Sequence, residues 1–184
     1  MARERWNFDL VHSHIGFWVR HLMVSKVHGR FTQWTGTLEF DEQNPTDFVV
    51  DVRIEAASID TKEPQRDAHL RSADFLEVEK HPYITFKGSA VERAGDRRYR
   101  LKGSLTIRGA TQPVILDVEY AGRVKDPWGG ERVGFSARTS ISRKEFGLTW
   151  NQLLEAGGLA VDDKVEISVE IEAIRQAEPA QAVA

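Results

Sequence analysis

Between Ile15 and Phe40 the chain reads IGFWVRHLMVSKVHGRFTQWTGTLEF, and apolar or glycine positions fall on every second residue. Ile15, Phe17 and Val19 form one series, Val27, Gly29 and Phe31 a second, and Gly36, Leu38 and Phe40 a third. Period two selects strands, because successive side chains leave a strand on opposite faces. The same face carries large aromatics and glycines. That mixture suits a curved sheet wrapped around a space better than a flat sheet covered by helices.

Everything downstream repeats the pattern. Phe48, Val50, Val52, Ile54 and Ala56 share a face, and Asp47, Val49, Asp51, Arg53 and Glu55 face the other way. One apolar and one mostly charged face is the mark of an antiparallel sheet with one wet side. Ile84, Phe86 and Gly88 lie opposite Tyr83, Thr85 and Lys87, and Tyr99, Leu101, Gly103, Leu105 and Ile107 lie opposite a row with Arg98, Arg100 and Lys102. We read that basic row as a solvated outer face. Val114 to Tyr120, Val133 to Ile141 and Val165 to Ala173 alternate in the same way. The reading is all-β: an antiparallel β-barrel of about eight strands with short helical segments, closed so that no edge is exposed.

The breaks in the pattern are informative too. His21-Leu22-Met23-Val24 reads as a short helical turn or a bulge. Asp41 to Pro45 and Arg93 to Asp96 read as turns, and Pro113 marks a strand start. Alternation stops from Ser58 to Val78, where Asp67 and Arg71 have the spacing of a helical pair. There Leu70 and Phe75 are the expected anchors of a segment that plugs one barrel end or gates it. Ser142-Arg143-Lys144-Glu145 has the spacing of a capping box, predicting one helical turn that ends near Gly147. Gly157-Gly158 opens a further turn. Residues 1–175 form one domain, and 176–184 an Ala-, Glu- and Pro-rich tail expected to fray.

Composition narrows the function. The chain has 184 residues, no cysteine, a net charge of −3 and 29% charged residues of both signs. No thiolate metal site or disulfide framework is possible. Nothing in that charge balance calls for a nucleic-acid partner. MARERWNFDL has no apolar run behind its positive charge, so the expected compartment is the cytoplasm. No stretch approaches the roughly 20 apolar residues of a spanning helix, so stable membrane insertion is not expected.

Little in the sequence points to catalysis. His12, His14 and His21 could offer imidazoles to a metal, but no HExxH motif, cysteine or suitably spaced carboxylate supports them. Ser13 beside His12 points to the opposite strand face. No GxSxG elbow or phosphate-binding loop is present. The remaining signal is aromatic and apolar. An interior lined this way selects an apolar, chain-like guest.

Longer motifs then resemble a known family. HSHIGFWVRHLMVSKVHGRFTQWTGTLEF is similar to the HSxIxFxVxHxxxxxVxGxFxxFxG opening of YceI-like proteins. IDTKEPQRDAHLRSADFLEVEKHPYITFKG, GSLTIRGATQPVILDV, SISRKEFGL and VDDKVEISVEIEA continue the resemblance in the same order, from about Trp6 to Ala173. It implies a lipocalin-like extended barrel with a long pore, carrying a polyisoprenoid lipid such as a polyprenyl phosphate or an isoprenoid quinone. Carried over by position, the pore-lining residues are Phe17, Val19, Phe31, Leu38, Phe40, Val50, Val52, Phe86, Leu101, Leu105, Phe135 and Ile167. The resemblance supplies no catalytic residue and no cofactor beyond the lipid. It also implies a homodimer. Trp34 stands where relatives often carry Phe.

Three readings follow: a non-enzymatic isoprenoid-lipid carrier, which leads; a metal or acid–base enzyme built on His12, His14 and His21; and a stress-related interaction module whose barrel is only a scaffold.

Overall fold

The computed structural model describes residues 3–152 and 160–177. The Gly157-Gly158 turn and most of the tail lie outside the described residues. The strands are β1 (Glu4–Phe8), β2 (His14–His21), β3 (Ser25–Phe31), β4 (Trp34–Phe40), β5 (Phe48–Glu55), β6 (Ile59–Asp60), β7 (Tyr83–Gly95), β8 (Arg98–Ile107), β9 (Ala110–Lys125), β10 (Glu131–Ser142) and β11 (Val161–Arg175). One α-helix, α1 (Pro64–Arg71), lies between β6 and β7.

These eleven segments make an eight-stranded barrel. β1 and β2 follow one another along the edge of β11, separated by a 3-10 turn at Leu10–His12. β3 pairs with β2 and β4 pairs with β1, so β3 and β4 are likewise two parts of one path. β5 pairs with β4 and β6 with β3 across a second 3-10 turn, Ala56–Ser58. With β7 to β11 added, every neighbour is antiparallel, and the pairings of β1 and β2 with β11 close the ring. The ring is closed, but the expectation that no edge is exposed is corrected: among the described residues β3 from Ser25 to Gly29 and β9 from Ala110 to Leu116 each pair on one side only.

The interrupted path has a local cause. From Asn7 to Ile15 the chain takes eight steps, while the partner takes six from Thr37 to Phe31. The excess is absorbed by the Leu10–His12 turn, where Asp9 accepts from the Val11 N–H at 3.1 Å. The turn is a bulge in the wall.

Several local expectations are corrected. His21 to Val24 is neither helical nor bulged but a tight hairpin turn, with left-handed φ at Leu22 and Met23. The β7–β8 turn sits at Asp96-Arg97, two residues beyond the expected site. Pro113 lies inside β9, opposite Ser104. β10 joins β9 only from Asp117 onward, so Pro113 occupies a stretch paired on one side, where a missing N–H is tolerated. Ser142 precedes the predicted turn, now a 3-10 turn over Arg143–Phe146 ending at left-handed Gly147, but it does not cap it. Its hydroxyl donates to Asp163 at 2.6 Å, and Asp163 accepts from the Lys144 N–H instead. Asp67 is buried and accepts from the Thr61 N–H at 2.9 Å and from its hydroxyl, so it holds the entry to α1 instead of pairing with Arg71.

Candidate functional site

The eight strand paths enclose a cavity of about 270 Å³ whose described lining is apolar except for Thr139 and Arg143. β2 contributes Phe17 and Val19, and β3 contributes Phe31. β4 and β5 contribute Leu38, Val50 and Val52, and β7 and β8 contribute Phe86, Leu101 and Leu105. Phe135 and Ile167 come from β10 and β11. The structure therefore brings these carried-over positions together around one space. Phe40 is the exception. It is buried beyond the cavity end, with its ring centroid 5.4 Å from Tyr120 and 5.5 Å from Phe135. The same in-facing alternation continues past the lumen, so sequence period alone does not separate a lining residue from a sealing one.

That aromatic layer closes one end. Phe48 and Tyr120 pack on Phe135 at 5.6 and 5.1 Å, mostly in tilted or edge-on arrangements that aromatic quadrupoles favour. Beneath it Arg123 bridges Glu4 and Glu131, and Arg175 pairs with Glu4 at 2.6 Å. Burial, together with the charge of Glu42, pushes the Tyr120 hydroxyl up to about 12, so it stays protonated.

The opposite end is covered by the helical segment. Leu70, Phe75 and Leu76 lie on the cavity wall. Arg108, from the β8–β9 turn, holds the segment in place through the Phe75 carbonyl at 2.7 Å and Glu77 at 2.9 Å. Trp150 packs edge-on against His69 and tilted against Phe75, with ring centroids 4.5 and 5.4 Å apart. At the aromatic end the lining side chains are buried. Toward β2 and β11, Phe17, Val19, Val161, Val165 and Ile167 are only half-buried, so the enclosure loosens on that side.

Glycines keep the lumen open. Phe86 lies against the paired glycines Gly88 and Gly103, and Phe8 lies over Gly36. In-strand glycine can admit a kink or a close-lying ligand. Here it admits the protein's own rings, which lie along the wall instead of across the space.

Among the described residues two polar side chains reach the wall, and both are occupied. Thr139 donates to the Ile115 carbonyl at 2.8 Å. Arg143 is 3% exposed, and its guanidinium donates to the carbonyls of Asp162, Leu148, Trp150 and Val161. Burial lowers its pKa, and Asp163 and Asp162 oppose that shift. No spacing signal announced this buried arginine, because its partners are backbone groups supplied by the fold. Val165, Val169 and Ile171 also line the cavity and share the Ile167 face, so the period-two signal could have found them.

The structure does not bring His12, His14 and His21 together. His12 lies in the 3-10 turn, while His14 and His21 stand at opposite ends of β2. His12 does approach Asp9 and Glu172, whose ligand atoms lie within 4.8 Å of one another and could hold a metal. Arg132 already bonds both carboxylates at 2.7 Å, so the charge of this cluster is balanced without an ion. Ser13 closes the strand end, accepting from the Glu172 N–H at 3.0 Å and donating to the Glu172 carbonyl at 3.2 Å.

A closed antiparallel barrel around an apolar cavity defines a class of small containers for apolar guests. Residues 6–173 match the YceI-like domain, and the chain belongs to that family. A UPF0312 protein of Pectobacterium atrosepticum is 42% identical over 175 residues, covering 95% of this chain and 88% of that relative. Among solved structures, the Campylobacter jejuni YceI protein is 31% identical with a TM-score of 0.74, over 86% of this chain and 90% of that one. A polyisoprenoid binding domain from Saccharophagus degradans shares the fold at 12% identity, with a TM-score of 0.68 over 93% of this chain and 98% of that domain.

Proposed function

We propose that this protein binds a long-chain isoprenoid lipid, a polyprenyl phosphate or an isoprenoid quinone, with its tail in the barrel, and stores or carries it without chemical change. The observation that carries this reading is the cavity wall, which is almost wholly apolar among the described residues and drawn from every strand path. Moving hydrocarbon from water into such a space yields roughly 0.8 kcal/mol per buried CH2. The volume is small and the walls are long strands, so a slender chain fits better than a fused ring system. The Saccharophagus degradans domain supports the reading at the level of fold, since a barrel of this architecture is described there as polyisoprenoid binding. Binding without catalysis is the reading we favour, supported by the backbone partners that Thr139 and Arg143 already hold.

Solvent extraction of the purified protein, followed by mass spectrometry, tests this. A long-chain apolar molecule in near-stoichiometric amount is the expected result. Lipid-free protein that also fails to take up a polyprenyl chain added in detergent would overturn it.

A further inference from the structure

The β2–β3 hairpin carries an apolar tip in an unusual setting. Leu22, Met23 and Val24 are 42%, 65% and 81% exposed. The Val24 N–H donates to the His21 carbonyl at 3.2 Å, closing a turn whose central residues have φ of +52° and +63°. Such turns favour Asn-Gly, because side chains with a Cβ resist left-handed backbone. This chain places leucine and methionine there, against the local preference and with little packing in return.

The flanks of the tip are cationic. From His14 to Phe31 the sequence holds Arg20, Lys26 and Arg30 and no carboxylate. Lys26 and Arg20 stand over the Trp18 ring at 4.3 and 5.9 Å, which keeps both charges on the outer face. Glu166 lies across from Trp18 on β11, exposed Asp162 follows Val161, the partner of His21, and Asp60 approaches Arg30 at 3.8 Å, so part of this charge is balanced; Asp163 is turned to Ser142 and the Lys144 N–H, and Arg20 flanks the tip itself. The tip also borders the loose side of the cavity. The Leu22 N–H donates to the Ala160 carbonyl at 2.8 Å, and Val161, opposite His21, is a lining residue, as is Val19.

We propose that this hairpin docks the protein on an anionic phospholipid bilayer. Leu22, Met23 and Val24 enter the interfacial layer, Arg20 and Lys26 pair with lipid phosphates, and the loose side of the barrel is set against the membrane. Apolar side chains beside basic ones are the arrangement that binds such interfaces.

The test is flotation with vesicles of equal parts phosphatidylcholine and phosphatidylglycerol, against vesicles of phosphatidylcholine alone. The protein should float with the mixed vesicles, less so as salt rises. Leu22→Asn combined with Met23→Gly gives the turn its preferred residues, so the variant should fold at least as well while binding falls about tenfold or more. Arg20→Gln with Lys26→Gln is a second variant that leaves the turn intact, and it should bring binding down to that on phosphatidylcholine alone. Wild-type protein that stays in solution with both vesicles, or variants that float as well as it does, overturns the proposal. So does a wild-type dimer that the turn variant makes monomeric while neither binds vesicles, since the tip then serves self-association. Docking goes beyond the lipid-holding reading and is measured separately from it: flotation reports the hairpin, extraction reports the lumen, and either can fail alone.

Discussion

Phe17 and Gly29 face each other across the β2–β3 ladder, and the phenylalanine ring covers the glycine so closely that a Cβ there would stand 2.4 Å from Phe17 Cζ. The ring is thereby laid along the barrel wall, and the width of the lumen depends on a residue that contributes no side chain to it.

Gly29→Ala should therefore act on the lumen more than on the fold. The three atoms nearest to the new methyl all belong to the Phe17 ring, which can rotate away into the cavity. We expect a stability loss of about 1–2 kcal/mol and less retained lipid per protein. Gly103→Ala should cost more, because its Cβ would also stand 2.6 Å from the Lys87 carbonyl, which belongs to the ladder itself. Urea denaturation of both variants, with lipid extraction alongside, measures the contrast.

Phe31→Asp sets a carboxylate in the apolar wall, next to the Phe17 ring at 5.8 Å. It should cost at least about 2 kcal/mol and empty the lumen. Arg100→Ala, on the outer face with its 3.9 Å approach to Asp117, should change stability by no more than about 0.5 kcal/mol. Paired thermal melts decide whether the two faces are as different as their surroundings.

Arg143→Lys should be nearly as damaging as Arg143→Met. Four backbone carbonyls accept from one planar guanidinium, and a single ammonium cannot reach them all. A loss of about 3 kcal/mol is expected for either variant, with carbonyls left unpaired near the cavity end. Chemical denaturation showing that lysine restores wild-type stability would contradict the clamp.

The Asp9–His12 pair should leave a mark on titration. The hydrogen bond from His12, aided by Arg132 and the Val11 N–H, holds the Asp9 carboxyl below its ordinary 3.8. The hydrogen bond to Asp9, then the charges of Asp9 and Glu172, raises the His12 imidazole above its ordinary 6.5. A lowered acid favours the fold above its unfolded value and loses that effect as pH falls through its folded value. A raised base favours the fold below its unfolded value and loses that effect as pH rises through its folded value. Both act fully between pH 3.8 and 6.5. NMR titration should place His12 above its ordinary value, and Asp9→Asn should bring it down.

The barrel was legible because period two is a local property, and Phe48 to Ile54 or Val165 to Ile171 carries it without help from the rest of the chain. The in-facing side was legible for the same reason at Phe17, Leu101 and Ile167, while their place on the pore was implied only by the family resemblance. What was not legible depends on groups far apart in sequence. Phe40 keeps the in-facing alternation but lies past the cavity, against Tyr120, which is brought in by β9. The Ser142 capping box failed because Asp163, on β11, takes the hydroxyl and the Lys144 N–H. The break at Leu10–His12 reflects a mismatch in path length with β3 and β4, which appears only once the register is set.

The stack of Phe40, Phe48, Tyr120 and Phe135 turns the barrel into a blind alley. Under the lipid-holding reading, a chain threaded into it meets no opening past those rings among the described residues and would back out by the route it took in. Under the lipid-holding reading the headgroup would leave first and the chain last, and a recipient would have to grip the polar end before any hydrocarbon is released.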